Sequence, residues 1–249
     1  MIWIGTSGWQ YDSWKDRLYP DKLPKAKWLE YFSARFPTVE VNNSFYRLPS
    51  EASFVRWRQE SHPDFQVTVK ASRYITHIKR LMEPEDSIKL LWSRMSGLGP
   101  KLATVLFQLP PTFKADVDRL KHFLAALPKQ TPCALEVRHP SWDLPEVYSA
   151  LDEAGVAYVL GDRPGLHAPD VVTGGWSYVR FHQGTPEGPF YPLDAMQRWA
   201  DRIASMPASD VWVYFNNDPL GAALVDARTL TELLEQRLPG QVRGPAEES

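Results

Sequence analysis

Eight short stretches of the chain run apolar or alternate apolar with polar residues: "IWIG" at 2–5, "TVEVNN" at 38–43, "FQVTVKA" at 65–71, "ATVLFQL" at 103–109, "CALEVR" at 133–138, "AYVLGD" at 157–162, "SYVRFH" at 177–182 and "VWVYFNN" at 211–217. Successive side chains of a strand point to opposite faces, so this two-residue period predicts β-strands. Between most of them the period lengthens. Trp28, Leu29 and Phe32, then Ile88, Leu91, Trp92 and Met95, then Val117, Leu120, Phe123, Leu124 and Leu127, then Met196, Trp199 and Ile203 recur at helical spacing. Punctuation agrees with these elements: Gly97 and Gly99 follow one helix, while Asp143, Pro145 and Glu146 read as an N-cap, an early helical proline and a capping-box acid. The stretch 163–175, "RPGLHAPDVVTGG", has no helical period, so the sixth helix is expected to be short or replaced by a loop.

Strands that alternate with helices imply a parallel sheet and the α/β class. Eight such repeats in 249 residues fit a single (β/α)8 TIM-type barrel, expected over 1–240, with 241–249 as a disordered tail. An open doubly wound sheet fits less well, because the chain lacks the phosphate-binding glycine fingerprint of that class. Composition leaves the picture unchanged: 43% apolar and 12% aromatic residues suffice for one core. The formal net charge of −2 excludes a global polyanion-binding surface, so nucleic acid would have to bind a local patch. The single cysteine, Cys133, lies on the apolar side of its strand and reads as core. No basic leader with an apolar stretch and no membrane-length apolar run is present, so a cytoplasmic protein without a membrane partner is expected.

In a barrel one face of each strand looks at the helices and the other into the barrel. If the apolar parity faces the helices, then Glu40 and Asn42, Thr68 and Lys70, Gln108, Glu136 and Arg138, Asp162, Arg180 and His182, and Asn216 all point inward. They lie near the C-terminal ends of their strands, the end where barrel enzymes keep their chemistry. The plain alternative is a set of structural ion pairs between Glu40, Glu136 and Asp162 on one side and Lys70, Arg138 and Arg180 on the other. Buried ion pairs stabilise little relative to apolar packing, which favours a site.

The segments "IGTSGWQYDSWKDRLYP", "TVEVNNSFYRLPS", "FQVTVKASRYITHIKRL", "TVLFQLPPTF", "ALEVRHPSW", "YVRFH" and "VYFNND" together resemble the YecE-like family, a domain of unknown function numbered 72. The resemblance runs from Ile2 to about Leu230 and implies a TIM-type barrel; it brings no reaction with it. Two departures are visible, "VNNSFY" in place of a serine-threonine pair before Phe-Tyr, and "RFHQG" where glycine usually follows the histidine directly.

The candidate catalytic residues are Glu136, Glu40, Lys70 and His182. Substrate contacts are expected from Asn42, Tyr46, Arg138, His139, Trp142, Asp162, Arg180, Asn216 and Asn217. Lysine, arginine and histidine supply donors suited to phosphate or carboxylate. Glu136 and Glu40 are placed for proton transfer, and a neighbouring arginine would keep Glu136 ionised, as a base requires. The same two carboxyls are one conceivable glycosidase pair. Lys70 is read chiefly as a charged anchor, with Schiff-base chemistry as its alternative. "NNDPLG" after the eighth strand is either a phosphate station at a helix start or an ordinary capped turn. Glu40, Glu136, Asp162 and His182 form an oxygen-rich set that a divalent ion could use, although no HxH or HExxH spacing occurs among the six histidines. Of the others, His62 and His122 lie on helices and His77, His139 and His167 on loops. Trp9, Tyr11, Trp14, Phe45, Tyr46 and Trp142 should rim the same end, stacking on a sugar or base or pinning the loops. Arg73, His77, Lys79 and Arg80 form a local basic stripe.

The expected function is therefore an enzyme, a hydrolase or a lyase, acting on an anionic or sugar-containing small molecule in this pocket. One alternative is a non-catalytic nucleic-acid or anion-binding module, and a second is a divalent-metal-dependent phosphodiester hydrolase. No cofactor is implied and nothing indicates an oligomeric state.

Overall fold

Eight parallel strands close into a barrel in the computed structural model, which describes residues 1–162, 168–182, 184 and 188–246. In chain order, β1 (Ile2–Ser7) leads through α1 (Trp28–Ser33) to β2 (Thr38–Val41), and α2 (Asn43–Tyr46) and α3 (Glu51–Glu60) lead to β3 (Gln66–Lys70). Then come α4 (Glu85–Met95), β4 (Leu102–Gln108), α5 (Val117–Ala125), β5 (Cys133–Glu136), α6 (Pro145–Glu153) and β6 (Ala157–Asp162). β7 (Ser177–Phe181), α7 (Leu193–Ala204), β8 (Val211–Phe215), α8 (Ala222–Arg237) and a short β9 (Val242–Arg243) complete the chain. The described residues between β6 and β7 hold no helix, in line with the missing period in 163–175. No helix among the described residues is long and apolar enough to cross a membrane.

Closure depends on β1, which pairs along its length with β8, from Ile2 on Val211 to Thr6 on Phe215, and at its upper end with β2 through Thr6 on Val39 and Ser7 on Glu40. β2 therefore leaves the lower edge of β1 open. Unpaired backbone groups there need partners, and β9 supplies them, setting Val242 beside Ile2 and Arg243 beside Trp3. The Ile2 amide donates to the Gln241 carbonyl at 2.9 Å, and the Ala246 amide to the Arg35 carbonyl at 2.8 Å. This corrects the expected tail: 241–246 is bonded structure, and 247–249 lie outside the described residues.

Parity fills the barrel in layers. At the N-terminal end Trp3 and Trp212 stack with ring centroids 5.1 Å apart. Above them the buried Tyr214 hydroxyl meets Thr38 Oγ1 at 2.8 Å and Thr68 Oγ1 at 2.7 Å, and Thr68 meets Thr104 at 2.7 Å. The outward faces, among them Val39, Val67, Val105, Leu135, Val179 and Val213, pack under the helices. One buried lysine is plainly structural. Lys101 Nζ donates at 2.8–2.9 Å to the carbonyls of Arg58, Ser61 and His62 and to Ser61 Oγ, tying off the C-terminal end of α3. The start of α6 differs from the expected capping box: Leu144 is the N-cap without a side-chain bond, and the Asp143 carboxylate instead accepts from the Tyr148 hydroxyl.

Candidate active site

The uppermost inward layer is polar, and Arg180 is its centre. Its guanidinium is 1% exposed and spans two carboxylates, Nη1 donating to Glu136 Oε2 at 2.5 Å and Nη2 to Glu40 Oε1 at 2.6 Å. Strand order explains the reach: Glu40 is next to last in β2, Glu136 ends β5, and Arg180 on β7 crosses the lumen to both. The inward position beside Arg180 on β6 is Gly161, where a Cβ would stand in ordinary contact with the His182 ring, 3.8 Å from Cδ2.

Both carboxylates are saturated with donors. Glu40 Oε1 also accepts from Ser7 Oγ at 2.6 Å, and Oε2 from the Tyr178 hydroxyl at 2.6 Å. Glu136 Oε1 accepts from Arg138 Nε at 3.0 Å and Gln108 Nε2 at 3.2 Å, with His182 Nε2 at 3.4 Å. Burial pushes both carboxyls up, but Arg180 and the surrounding donors outweigh it: Glu40 is held below, and Glu136 well below, the usual carboxylate range. Glu136 is thus a poor proton acceptor, and its geometry is that of a residue orienting Arg138 and His182. Two buried polar atoms of this layer, Arg180 Nε and Asn42 Oδ1, have no hydrogen-bond partner among the described residues.

Lys70 stands apart. It ends β3 with its side chain inward, and Nζ lies 4.5 Å over the Phe45 ring. Among the described residues it makes no hydrogen bond and no ion pair within 4.0 Å, because Glu40 and Glu136 are turned to Arg180. Burial, and then the neighbouring Arg180, lower its pKa to about 8, against the opposing pull of Glu40 and Glu136. The loop that follows carries one π-helical turn, Tyr74–Ile78, and then three non-glycine residues at positive φ: Arg80 at 47°, Leu81 at 67° and Glu83 at 41°. Such backbone is costly and concentrates at functional sites. The turn sets the His77 ring edge-on to Phe45 at 4.9 Å, and burial with Lys70, Arg138, Arg73 and Arg80 nearby lowers its pKa. Tyr46, Tyr74, Ile78 and Met82 are exposed on this side of the mouth.

The structure brings Glu40, Lys70, Glu136, Arg138, Arg180 and His182 into one cluster, with Asn42 and Tyr46 just beyond β2 and Asn216 half-buried just beyond β8. It separates four others from it. Asp162 shares the outward parity of Tyr158 and Leu160, because the inward residues of β6 are Ala157, Val159 and Gly161; it is half-buried toward Trp199 and Arg202, and burial raises its carboxyl. Asn217 is a structural anchor, donating to Asp226 Oδ2 at 2.6 Å and to the Pro189 carbonyl at 2.8 Å. Trp142 is fully buried, with Nε1 on the Phe113 carbonyl at 2.7 Å. His139 caps the turn Pro140–Trp142, its Nδ1 accepting from the Ser141 amide at 3.1 Å.

With Asp162 outside and Arg180 between the two glutamates, the expected oxygen-rich metal set does not gather, and no trio of His, Cys, Asp or Glu among the described residues is placed to hold an ion. The loop after β8 is closed by the chain itself: Trp14 Nε1 donates to Asp218, the Arg17 side chain covers Gly221, and Ala222 and Ala223 at the start of α8 are buried. Trp9, Trp14 and Trp142 pin the rim, while Phe45 and Tyr46 remain at the opening. His167 and Gln183 lie outside the described residues. Ser7 and Tyr178 were missing from the expected site; Tyr178 carries a signal, since it shares the inward parity of Arg180.

The family model described as "Protein of unknown function DUF72" matches residues 3–248. UPF0759 protein YunF of Bacillus subtilis (strain 168) is 29% identical over 281 aligned positions, covering 96% of this chain and 97% of that protein. UPF0759 protein YecE of Escherichia coli (strain K12) is 32% identical over 174 positions, covering 68% of this chain and 61% of that protein. A crystal structure of a DUF72 family protein from Thermotoga maritima MSB8 superposes with a TM-score of 0.84 at 29% identity, covering 94% of this chain and 99% of that one.

Proposed function

The chain belongs to the family described as Protein of unknown function DUF72, and from that premise we propose an enzyme that takes a small anionic substrate, bearing phosphate or carboxylate, at the barrel mouth. The observation that carries this reading is the Lys70 ammonium, which among the described residues has no hydrogen bond and no ion pair and rests on the Phe45 ring face. Among the described residues three inward cations, Lys70, Arg138 and Arg180, face two inward carboxylates, Glu40 and Glu136, so 3 − 2 leaves one positive charge in a partly desolvated site. A ligand anion would satisfy it. Arg138 and Lys70 grip the anion, and Asn42 and Tyr46 offer an amide and a ring face to the remainder, sugar included. Glu136 orients; Lys70 and His182 are the groups that would exchange protons, which suits hydrolytic or lyase reactions.

The test is calorimetry with inorganic phosphate and with pyruvate at low ionic strength. Wild type binds at least one of them, salt weakens the binding, and Lys70→Met and Arg138→Met each weaken it by about tenfold or more. Wild type that binds neither anion overturns the reading. One observation favours a second: Tyr46, 75% exposed, and Tyr74, 48% exposed, stand beside Arg47, Arg73 and Arg80, as on a single-strand stacking platform. Anisotropy of a labelled single strand that is unchanged by Tyr46→Ala with Tyr74→Ala removes it.

A further inference from the structure

Two lysines of this protein are withdrawn from water, and they differ in one respect. Lys101 makes four hydrogen bonds and is accounted for by the end of α3. Among the described residues Lys70 makes none; it lies against the face of Phe45 at the end of β3, beside two glutamates already engaged by Arg180. Burial and the guanidinium groups of Arg180 and Arg138 disfavour an ammonium held this way, and they prevail over Glu40, Glu136 and the Phe45 ring face, which favour it.

We propose that Lys70 is a nucleophile that forms an imine with the carbonyl carbon of an anionic aldehyde or ketone, the anion lying on Arg138. The inference rests on the anion-binding reading above and narrows its substrate to carbonyl compounds. The Nζ lone pair attacks the carbonyl carbon and the C=O electron pair moves to oxygen, giving a carbinolamine after proton transfer from nitrogen to oxygen. The nitrogen pair then forms C=N as the hydroxyl leaves as water, so amine and carbonyl give imine and water, with protons exchanged through water at the mouth. Burial and Arg180 bring the pKa to about 8, so roughly a tenth of the amine is neutral at pH 7, against a few parts in ten thousand for an ordinary lysine. Glu40, Glu136, Arg138 and Arg180 are the charged groups facing it, and Arg138 and Arg180 favour the neutral form. A permanent ammonium anchor would serve the same anion without ever being nucleophilic, and covalent trapping separates the two roles.

The experiment treats the full chain with glyoxylate, an anionic aldehyde, or with glycolaldehyde, a neutral one of similar size, in the presence of cyanoborohydride, and maps the adducts by peptide mass spectrometry. Glyoxylate should modify Lys70 about tenfold or more faster than the mean surface lysine, with a rate that rises through pH 8 and levels off above it. Lys101 stays unmodified, inorganic phosphate slows the reaction at Lys70, and Lys70→Arg abolishes the site-specific adduct. Equal rates with the two aldehydes at Lys70 would keep the imine and overturn the anion-binding reading. Modification of Lys70 no faster than surface lysines, in a protein whose phosphate binding is weakened by Lys70→Met, would overturn the imine and leave the anion site standing. The mapping is done on wild type, so its outcome does not depend on any variant folding.

Discussion

Replacing Arg180 with methionine removes the one group that reconciles two buried carboxylates. Arg180 makes one charge-assisted bond to each, at 2.5 and 2.6 Å, and all three side chains are within 2% of full burial. At about 1.5–3 kcal/mol per bond to a charged group, the two bonds give about 3–6 kcal/mol, which overlaps the roughly 3–5 kcal/mol lost when one partner of a buried pair is deleted. For a chain of this size that is a fall in Tm of roughly 6–24 °C. The pH dependence is the sharper signature. In wild type both folded carboxyls are held below the ordinary range of a glutamate, so their contribution is fully present above that range and is lost only as pH falls through the lower folded pKa values. Without Arg180, burial dominates and lifts them above that range; the folded state then binds protons more tightly than the unfolded, and stability is regained as pH falls from 8 toward 5. Calorimetric melting of both proteins across pH 5–8 at fixed ionic strength reads the difference. A variant that melts within about 3 °C of wild type, or whose Tm follows pH in parallel with it, refutes a dry frame centred on Arg180.

Lys70→Met should stabilise the fold at pH 7 by on the order of 2 kcal/mol and so raise Tm: a lysine whose folded pKa is depressed to about 8 costs stability below that pH and regains it as pH rises from 8 toward the unfolded value, so the gain vanishes above about pH 10. A lowered Tm in thermal melts at pH 7 would mean that the ammonium has a structural partner after all. Lys101→Met leaves four acceptors at the end of α3 without their donor and should cost about 2–4 kcal/mol by urea titration; a cost under about 0.5 kcal/mol is incompatible with those bonds. Ending the chain after Gly240 strips β9 from Ile2 and Trp3 and should speed hydrogen exchange at the lower end of β1 while leaving β4 unchanged; unaltered exchange at Ile2 and Trp3 would return 241–246 to a passive tail.

The barrel was legible because its strands alternate, and the site was legible to the extent that alternation persisted to the strand ends. "TVEV", "CALE" and "SYVRF" set one apolar face against one polar face, so parity placed Glu40, Glu136 and Arg180 in the lumen. The rule failed on "AYVLGD", where both faces are apolar and the polar residue at the end was assigned inward; the lumen there is lined by Ala157, Val159 and Gly161. It failed again past the strand ends, where the backbone turns and period two no longer applies: Asn217 bonds α8 and His139 caps a turn. Trp142 was taken for a rim surface, but its indole fills a buried slot on Phe113. What parity cannot supply is pairing. Three acids and three bases in a list suggest neutral partners for each, and on that count Lys70 belongs to a salt bridge. Closure of the cylinder decides otherwise, because it sets Arg180 on β7 between the ends of β2 and β5 and satisfies both carboxylates at once. Asp162, the acid that would have balanced Lys70, faces the helices. The charge excess at the mouth is therefore a property of the wiring, created by one arginine reaching two strands and one strand ending on the opposite parity, and it is the reason to look for an anionic carbonyl compound there.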